Sequence, residues 1–183
     1  MTKQVYQLKI TLAGSKPKIW RRVLVSPDLL LADLHRIIQT AMGWTNSHLH
    51  LFSDGSTDYA PIEFELEDAK SYAKLRMNKF LKENKDKILY EYDFGDGWRH
   101  EILLEKVIAV DEKDHIPVCT GGKRNCPPED CGGIWGYENL LEIISDPTHE
   151  EYEDTIEWLG DEFDPEYFDV VEVNELLSNF KSK

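Results

Sequence analysis

The chain has 183 residues, 41% of them hydrophobic and 11% aromatic, which supplies apolar material for one buried core and argues against a disordered chain. Its 35 acidic and 21 basic residues give a formal net charge of -14. That balance opposes general nucleic-acid binding, because a polyphosphate must be met by a basic surface. No apolar run approaches the roughly 20 residues that cross a bilayer, and Met1 to Gln4 lead into an alternating pattern rather than a signal-peptide core. The expectation is one cytoplasmic domain spanning residues 1–183, with no membrane attachment.

Tyr6, Leu8, Ile10 and Leu12 alternate with Gln7, Lys9 and Thr11, the period of a strand with one buried face. Gly14-Ser15-Lys16-Pro17 is a turn, and Ile19 to Val25 reads as the second strand of a hairpin. Leu30, Leu34, Ile37, Ile38 and Ala41 then recur at helical spacing, and Gly43 stands where a helix commonly ends. Leu49–Phe52 and Ile62–Leu66 read as further strands. Lys70, Lys74, Arg76, Lys79, Lys82, Lys85 and Lys87 make a basic connector with one short helical segment around Leu75–Leu81, read as solvated rather than as an anion-binding face. Glu138 to Glu172 is dominated by carboxylates, and within and beyond it three apolar stretches, around Leu140–Ile144, Ile156–Leu159 and Val170–Phe180, read as helices. Strands followed by helices predict an α+β fold: an antiparallel, hairpin-rich sheet covered by a helix after the first hairpin and by C-terminal helices.

Ile88 to Leu104 is a hairpin around Tyr92-Asp93-Phe94-Gly95-Asp96-Gly97-Trp98. A two-residue Asp96-Gly97 turn would set Asp93 opposite His100. A three-residue Gly95-Asp96-Gly97 loop with Gly97 left-handed pairs Phe94 with Trp98, Tyr92 with His100, Tyr90 with Ile102 and Ile88 with Leu104. The second register is preferred because it gathers the apolar residues on one face and leaves Asp93 facing Arg99. His100 then lies on the aromatic face, either as a hydrogen-bonded core histidine or as a site residue.

Cys119, Cys126 and Cys131 are an odd set in one Pro- and Gly-rich segment read as loop throughout. Buried reduced thiols are the first reading. Zinc held by the three thiolates with His100 or His115 is the second, weakened by the lack of a Cys-x-x-Cys pair. Glu129 and Asp130 are a candidate general base or metal-binding pair, beside Gly132-Gly133 amides that could meet an anion. His48 and His50, two apart, would share a strand face and could reach one ligand. Of Arg21 and Arg22, which follow Trp20, only one can face a given side. Phosphate-loop, nucleophile-elbow and His-Glu-x-x-His patterns are missing from the sequence.

Pro17-Lys18-Ile19-Trp20-Arg21-Arg22-Val23, Leu34-His35, Met42-Gly43-Trp44, Tyr90 to His100, Cys126 to Gly133 with Gly136-Tyr137, and the tail from Phe163 to Asn174 together resemble the plasmid pRiA4b open-reading-frame-three-like family. The resemblance spans nearly the whole chain. It carries over Trp20, Arg21, His35, Trp44, His50, Asp93, Phe94, Asp96, Trp98, His100, Glu129, Asp130 and Gly133 as motif members, and Tyr92 and Tyr137 join them as binding-site candidates. It also implies a prokaryotic accessory of plasmids or transposable elements, without supplying chemistry. The leading expectation is a non-enzymatic binding module for a protein or peptide partner, in which the aromatic hairpin and the Pro127-Pro128-Glu129-Asp130 loop line a groove. The alternatives are a metal-assisted hydrolase or nuclease using His100, Asp93, Glu129 and Asp130, and a DNA-associated factor that the charge opposes.

Overall fold

Leu8, Ile10 and Leu12 are all fully buried while Lys9 and Thr11 between them are not, so the alternation read from the sequence is that of a real strand. The computed structural model describes residues 1–160 and 163–182; within the acidic stretch from Glu138 to Glu172, Asp161 and Glu162 lie outside the described residues. The strands are β1 (Thr2–Leu12), β2 (Trp20–Val25), β3 (His50–Ser53), β4 (Asp58–Ala60), β5 (Lys70–Ser71), β6 (Lys87–Tyr92), β7 (Trp98–Asp111) and β8 (Val118–Lys123). The helices are α1 (Leu31–Met42), α2 (Gly133–Ser145), α3 (Tyr152–Leu159) and α4 (Val170–Ser178). The strands form one sheet in the order β5-β4-β3-β6-β7-β1-β2-β8, antiparallel except where β4 meets β5. The fold is α+β, with α1 following the first hairpin and the other helices at the C-terminal end.

α1 buries Leu31, Leu34, Ile37, Ile38 and Ala41 against the sheet and ends at Gly43, whose φ of 92° suits glycine and whose N–H returns to the Gln39 carbonyl. Arg21, buried on β2, donates from Nε to the Ala41 carbonyl at 2.8 Å, so its cation sits on the negative end of α1. Arg22 points to the other face and pairs with Glu105 at 2.6 Å. The β1–β7 register shifts between Gln7 and Leu8, leaving Glu105 as the extra residue of a bulge, from which it accepts from both Arg22 and Gln7.

In the central hairpin Ile88, Tyr90, Tyr92, Trp98, His100, Ile102 and Leu104 share one face, none more than 1% exposed. The faces are as expected, but the pairing is not. Tyr92 lies opposite Trp98, Tyr90 opposite His100 and Ile88 opposite Ile102, so the loop holds five residues instead of three. Asp93 causes the shift: it adopts φ 57°, its Oδ1 accepts from the Gly95 and Asp96 amides, and its carbonyl accepts from Gly97 N at 2.6 Å. Phe94 is therefore in the loop and partly exposed, and Arg99 pairs with Glu91 rather than Asp93. Gly97 is left-handed, as expected, at φ 66°.

Three further expectations are corrected. Ile62–Leu66 is not a strand: Ile62–Phe64 forms a 3-10 turn, because Pro61 ends the ladder begun by β4 and Ile62 has no face to bury. Of the segment Leu75–Leu81 only Met77–Lys79 winds, again as a 3-10 turn, while Met77 and Leu81 anchor it in the core. All seven basic side chains of this connector are exposed, as expected of a solvated segment. The cysteine segment is not all loop, since Cys119 to Lys123 belongs to β8. Gly122 lets the strand pass close to its neighbours: a Cβ there would lie 2.5 Å from the Phe168 ring and 2.9 Å from Arg21 Cδ.

β8 is an edge strand covered by α4. Asn174 of α4 turns its amide on the edge, accepting from Cys119 N at 2.7 Å and donating to Cys119 O at 2.8 Å. Among the described residues no helix is long and apolar enough to cross a membrane. Ile10→Ala, at a fully buried position on β1, is expected to lower unfolding free energy by about 2–5 kcal/mol, read from urea denaturation midpoints. A loss under about 0.5 kcal/mol, the usual range for a surface position, would contradict the core described above.

Candidate functional site

α1, β3 and β6 bring His35, His50 and Tyr90 together beneath the surface. The two imidazoles stack with centroids 3.5 Å apart and planes within 4°. A backbone amide sets the orientation of Gln39 in the ring of hydrogen bonds around His35, and the acceptor Asn46 Oδ1 sets the His35 tautomer. Asn46 N–H donates to Gln39 Oε1 at 3.0 Å, so Gln39 Nε2 is the donor to Tyr90 Oη at 2.9 Å. Tyr90 then donates to His35 Nδ1 at 2.8 Å, and His35 Nε2–H donates to Asn46 Oδ1 at 2.6 Å, which closes the ring. His50 Nε2 meets the Tyr72 hydroxyl at 2.6 Å. His100 Nδ1 donates to the Trp98 carbonyl at 3.0 Å, and the Trp44 ring stands edge-on to it at 5.2 Å. Burial lowers all three histidines from 6.5: His35 to about 4, His50 to about 3 and His100 to about 4. They are neutral polar members of the core, and His100 is 1% exposed.

Above this layer the loop after α1 meets the cysteine loop. Trp44 stacks on Tyr92 at 5.1 Å and donates from Nε1 to the Pro127 carbonyl at 3.0 Å. The Tyr92 hydroxyl donates to Glu129 Oε1 and accepts from Ser47 N at 2.9 Å. Glu129 Oε2 accepts from Thr45 Oγ1 at 2.5 Å and Thr45 N at 3.1 Å. Glu129 is thus a structural anchor with both oxygens engaged. Burial, with Glu129 beside it, raises the Tyr92 hydroxyl well above its ordinary value.

Asp130, next along the chain, turns outward at φ 62° and places Oδ1 3.3 Å from His48 Nε2. Asp93 Oδ2 lies 3.7 Å from His48 Nδ1. Donor atoms of His48, Asp93 and Asp130 all fall within 4.8 Å of one another, and among the described residues they are the one such group of three or more His, Cys, Asp or Glu side chains. The expected quartet of His100, Asp93, Glu129 and Asp130 is divided: His100 is sealed in the core, Glu129 is saturated, and the two aspartates converge on His48. His48 and His50 do not reach one ligand, because β3 begins only at His50 and the chain at 47–48 is bonded to the Tyr92 hydroxyl instead of a ladder.

Asp96 Oδ2 accepts from Gly132 N at 3.2 Å, so a carboxylate of the chain itself occupies the α2 N-terminus. Gly133, at φ 68°, would place a Cβ 2.3 Å from the Asp96 carbonyl. Cys119 and Cys126 are buried and Cys131 partly so. Burial raises Cys119 and Cys126 and pushes Cys131 up to about 12, keeping the thiols protonated. The cysteines and His100 are not in the three-donor group. Trp20 lies between Lys9 and Arg22 on the open sheet face, away from this site, and Arg21 stacks on Phe168 at 4.4 Å. Tyr137 is buried against Phe163, and Trp98 is fully buried. Of the hairpin aromatics expected to line a groove, Tyr92 and Trp98 are buried and Phe94 is partly exposed; Trp135 on α2 is 84% exposed. Trp158, which the sequence alone does not single out, is half-exposed and borders two clefts, one of them lined by Pro127 and Pro128.

A family model described as plasmid pRiA4b ORF-3-like protein matches residues 4–172. An uncharacterized protein, y4hQ, of Sinorhizobium fredii is 35% identical over the whole chain and 95% of its own length. The crystal structure of a protein of unknown function, MM3350, from Methanosarcina mazei Go1 is similar with a TM-score of 0.82 and 40% identity, covering 92% of this chain and 96% of that one.

Gly133→Ala is expected to cost about 2 kcal/mol or more, through both the left-handed backbone and the contact with Asp96, read by thermal or urea unfolding. The buried histidines predict a pH dependence. Their folded values lie below 6.5, so the unfolded chain binds more protons in mild acid. Stability is full above about pH 6.5 and falls toward pH 4, by about 1.4 kcal/mol per pH unit for each histidine. Glu105, held below 4.5, contributes only at lower pH. An unchanged urea midpoint between pH 7 and pH 5 would show that these rings are not buried neutral.

Proposed function

This chain belongs to the plasmid pRiA4b ORF-3-like family, and we propose that it serves as a non-enzymatic binding module whose partner presents a basic peptide segment. The observation that carries this reading is the cleft between α2 and α3. Leu140, Ile143 and the half-exposed Trp158 form its apolar bed, Asp130, Glu151 and Asp154 rim it, and among the described residues no Lys or Arg lines it. Trp158 also borders a second cleft, which runs past Pro127, Pro128 and Phe163 and likewise has no basic residue among the described ones. An arginine or lysine places its charge against the rim and the tryptophan face, the latter worth about 0.5–2 kcal/mol, while an adjacent apolar side chain fills the bed. The net charge of -14 favours the same partner and opposes a polyphosphate.

The module reading also agrees with the chemistry of the remaining groups, since His100 has no solvent access and Glu129 has no free oxygen. An accessory role for a plasmid or transposable element would make the partner a protein of that element, an idea resting on the family's description alone. Titrating the protein with short peptides that pair arginine and leucine, followed by tryptophan fluorescence, tests the proposal. Trp158→Ala and Glu151→Gln/Asp154→Asn are expected to weaken binding about ten-fold or more, and added salt should weaken it in the wild type. Affinity unchanged in both variants, or no preference for basic over acidic peptides, would sink it.

A further inference from the structure

We infer that His48, Asp93 and Asp130 form a binding site for one divalent transition-metal ion at the junction of the hairpin tip and the cysteine loop. The three residues come from distant segments, each fixed by bonds that leave the converging atom available. Asp93 spends Oδ1 on the Gly95 and Asp96 amides, which leaves Oδ2 toward His48. Asp130 is positioned by its neighbour Glu129, whose carboxylate is tied to Tyr92 and Thr45. Its own carboxylate has His48 as its polar partner among the described residues and a side chain 70% exposed. His48 is held through its backbone N–H on the Tyr92 hydroxyl at 3.3 Å.

Asp93 and Asp130 meet opposite nitrogens of His48, so an ion bound to one nitrogen requires one carboxylate to turn toward the other side of the ring. Donors around a metal at about 2.1 Å lie roughly 3–3.5 Å apart. These lie within 4.8 Å of one another, so a side-chain rotation at exposed Asp130 draws them together. Electrostatics favour it as well. Two carboxylates face each other with no Lys or Arg paired to either among the described residues. A dication cancels their repulsion, which one imidazole does only in part. One imidazole nitrogen with two carboxylate oxygens suits Zn2+ or Mn2+ better than the all-oxygen shells of Ca2+ or the thiolate shells of Cu(I). Water completes the shell from the open side.

Mn2+ is the discriminating probe because thiolates compete poorly for it, which separates this site from Cys119, Cys126 and Cys131. Titration of the full chain, followed by the loss of the free-ion electron paramagnetic resonance signal, is expected to saturate at one Mn2+ per chain, displaced by Zn2+. Asp130→Asn and His48→Gln should each weaken binding about ten-fold or more, whereas Asp154→Asn should leave it unchanged. Circular dichroism confirms that the variants fold. If His48→Gln does not, Asp130→Asn decides alone, because its side chain is mostly in solvent. No Mn2+ or Zn2+ binding by the wild type up to about 1 mM, or binding that Asp130→Asn leaves unaltered, overturns the site.

Discussion

One carboxylate holds the outer layer of this protein to its core. The loop donates through its backbone at its two ends, from Asn125 to the Pro165 carbonyl and from Gly132 to Asp96, but between them Pro127 and Pro128 have no N–H to offer. This middle stretch is fixed by Glu129, which gathers the Tyr92 hydroxyl and two donors of Thr45 onto its two oxygens. Tyr92 is rooted in the middle of the sheet, and the position of the loop is inherited from there. Removing the carboxylate would leave the Tyr92 hydroxyl without its acceptor, a cost of about 1–3 kcal/mol where that group is left dry, whereas the exposed Thr45 amide can turn to solvent. It would also release Asp130, Cys131 and the start of α2, which follow in the chain.

Two tiers of polar groups result. Below Tyr92, His35, Tyr90 and Gln39 bond one another and His50 meets Tyr72, while His50 Nδ1 and His100 Nε2 have no hydrogen-bond partner among the described residues; the bonds that are made favour one arrangement of α1 against β3 and β6 over its neighbours. Above it Asp130 is open to solvent, His48 is partly exposed, and Asp93, though buried, keeps Oδ2 turned toward His48. The same residue types serve opposite ends because burial separates them: a neutral imidazole suits the lower tier, and charge suits the upper.

The alternation of β1 and β2, the 3.6-residue stripe of α1 and the shared face of the hairpin were all legible, because each follows from a local period of burial. The register was not. A shift of two residues keeps every side chain on its face, so Leu8-like alternation cannot distinguish a three-residue loop from a five-residue one. The choice is made by the hydrogen bonds that the Asp93 carboxylate accepts from the Gly95 and Asp96 amides. Ile62–Phe64 misled for a related reason, since alternation without a face to bury produces the same string as a strand. His48 was noticed only as a neighbour of His50. Its true partners are 45 and 82 residues away, and the sequence bears no mark of that meeting. The roles of Glu129 and His100 were interchangeable on paper and became distinct only once the depth of each was known.

The amide of Asn174 stands where a ninth strand would begin. It offers Cys119 one acceptor and one donor, the same pair that a neighbouring backbone would offer, and α4 lies over what remains of the edge. At the opposite rim β5 is two residues long, too short to template another chain. The two outer rims of the sheet thus offer a second molecule little backbone to pair with. Strand addition is disfavoured there, and the longer backbone edge lies instead on the β1–β7 ribbon, where β1 runs past β2 and β7 runs past β6.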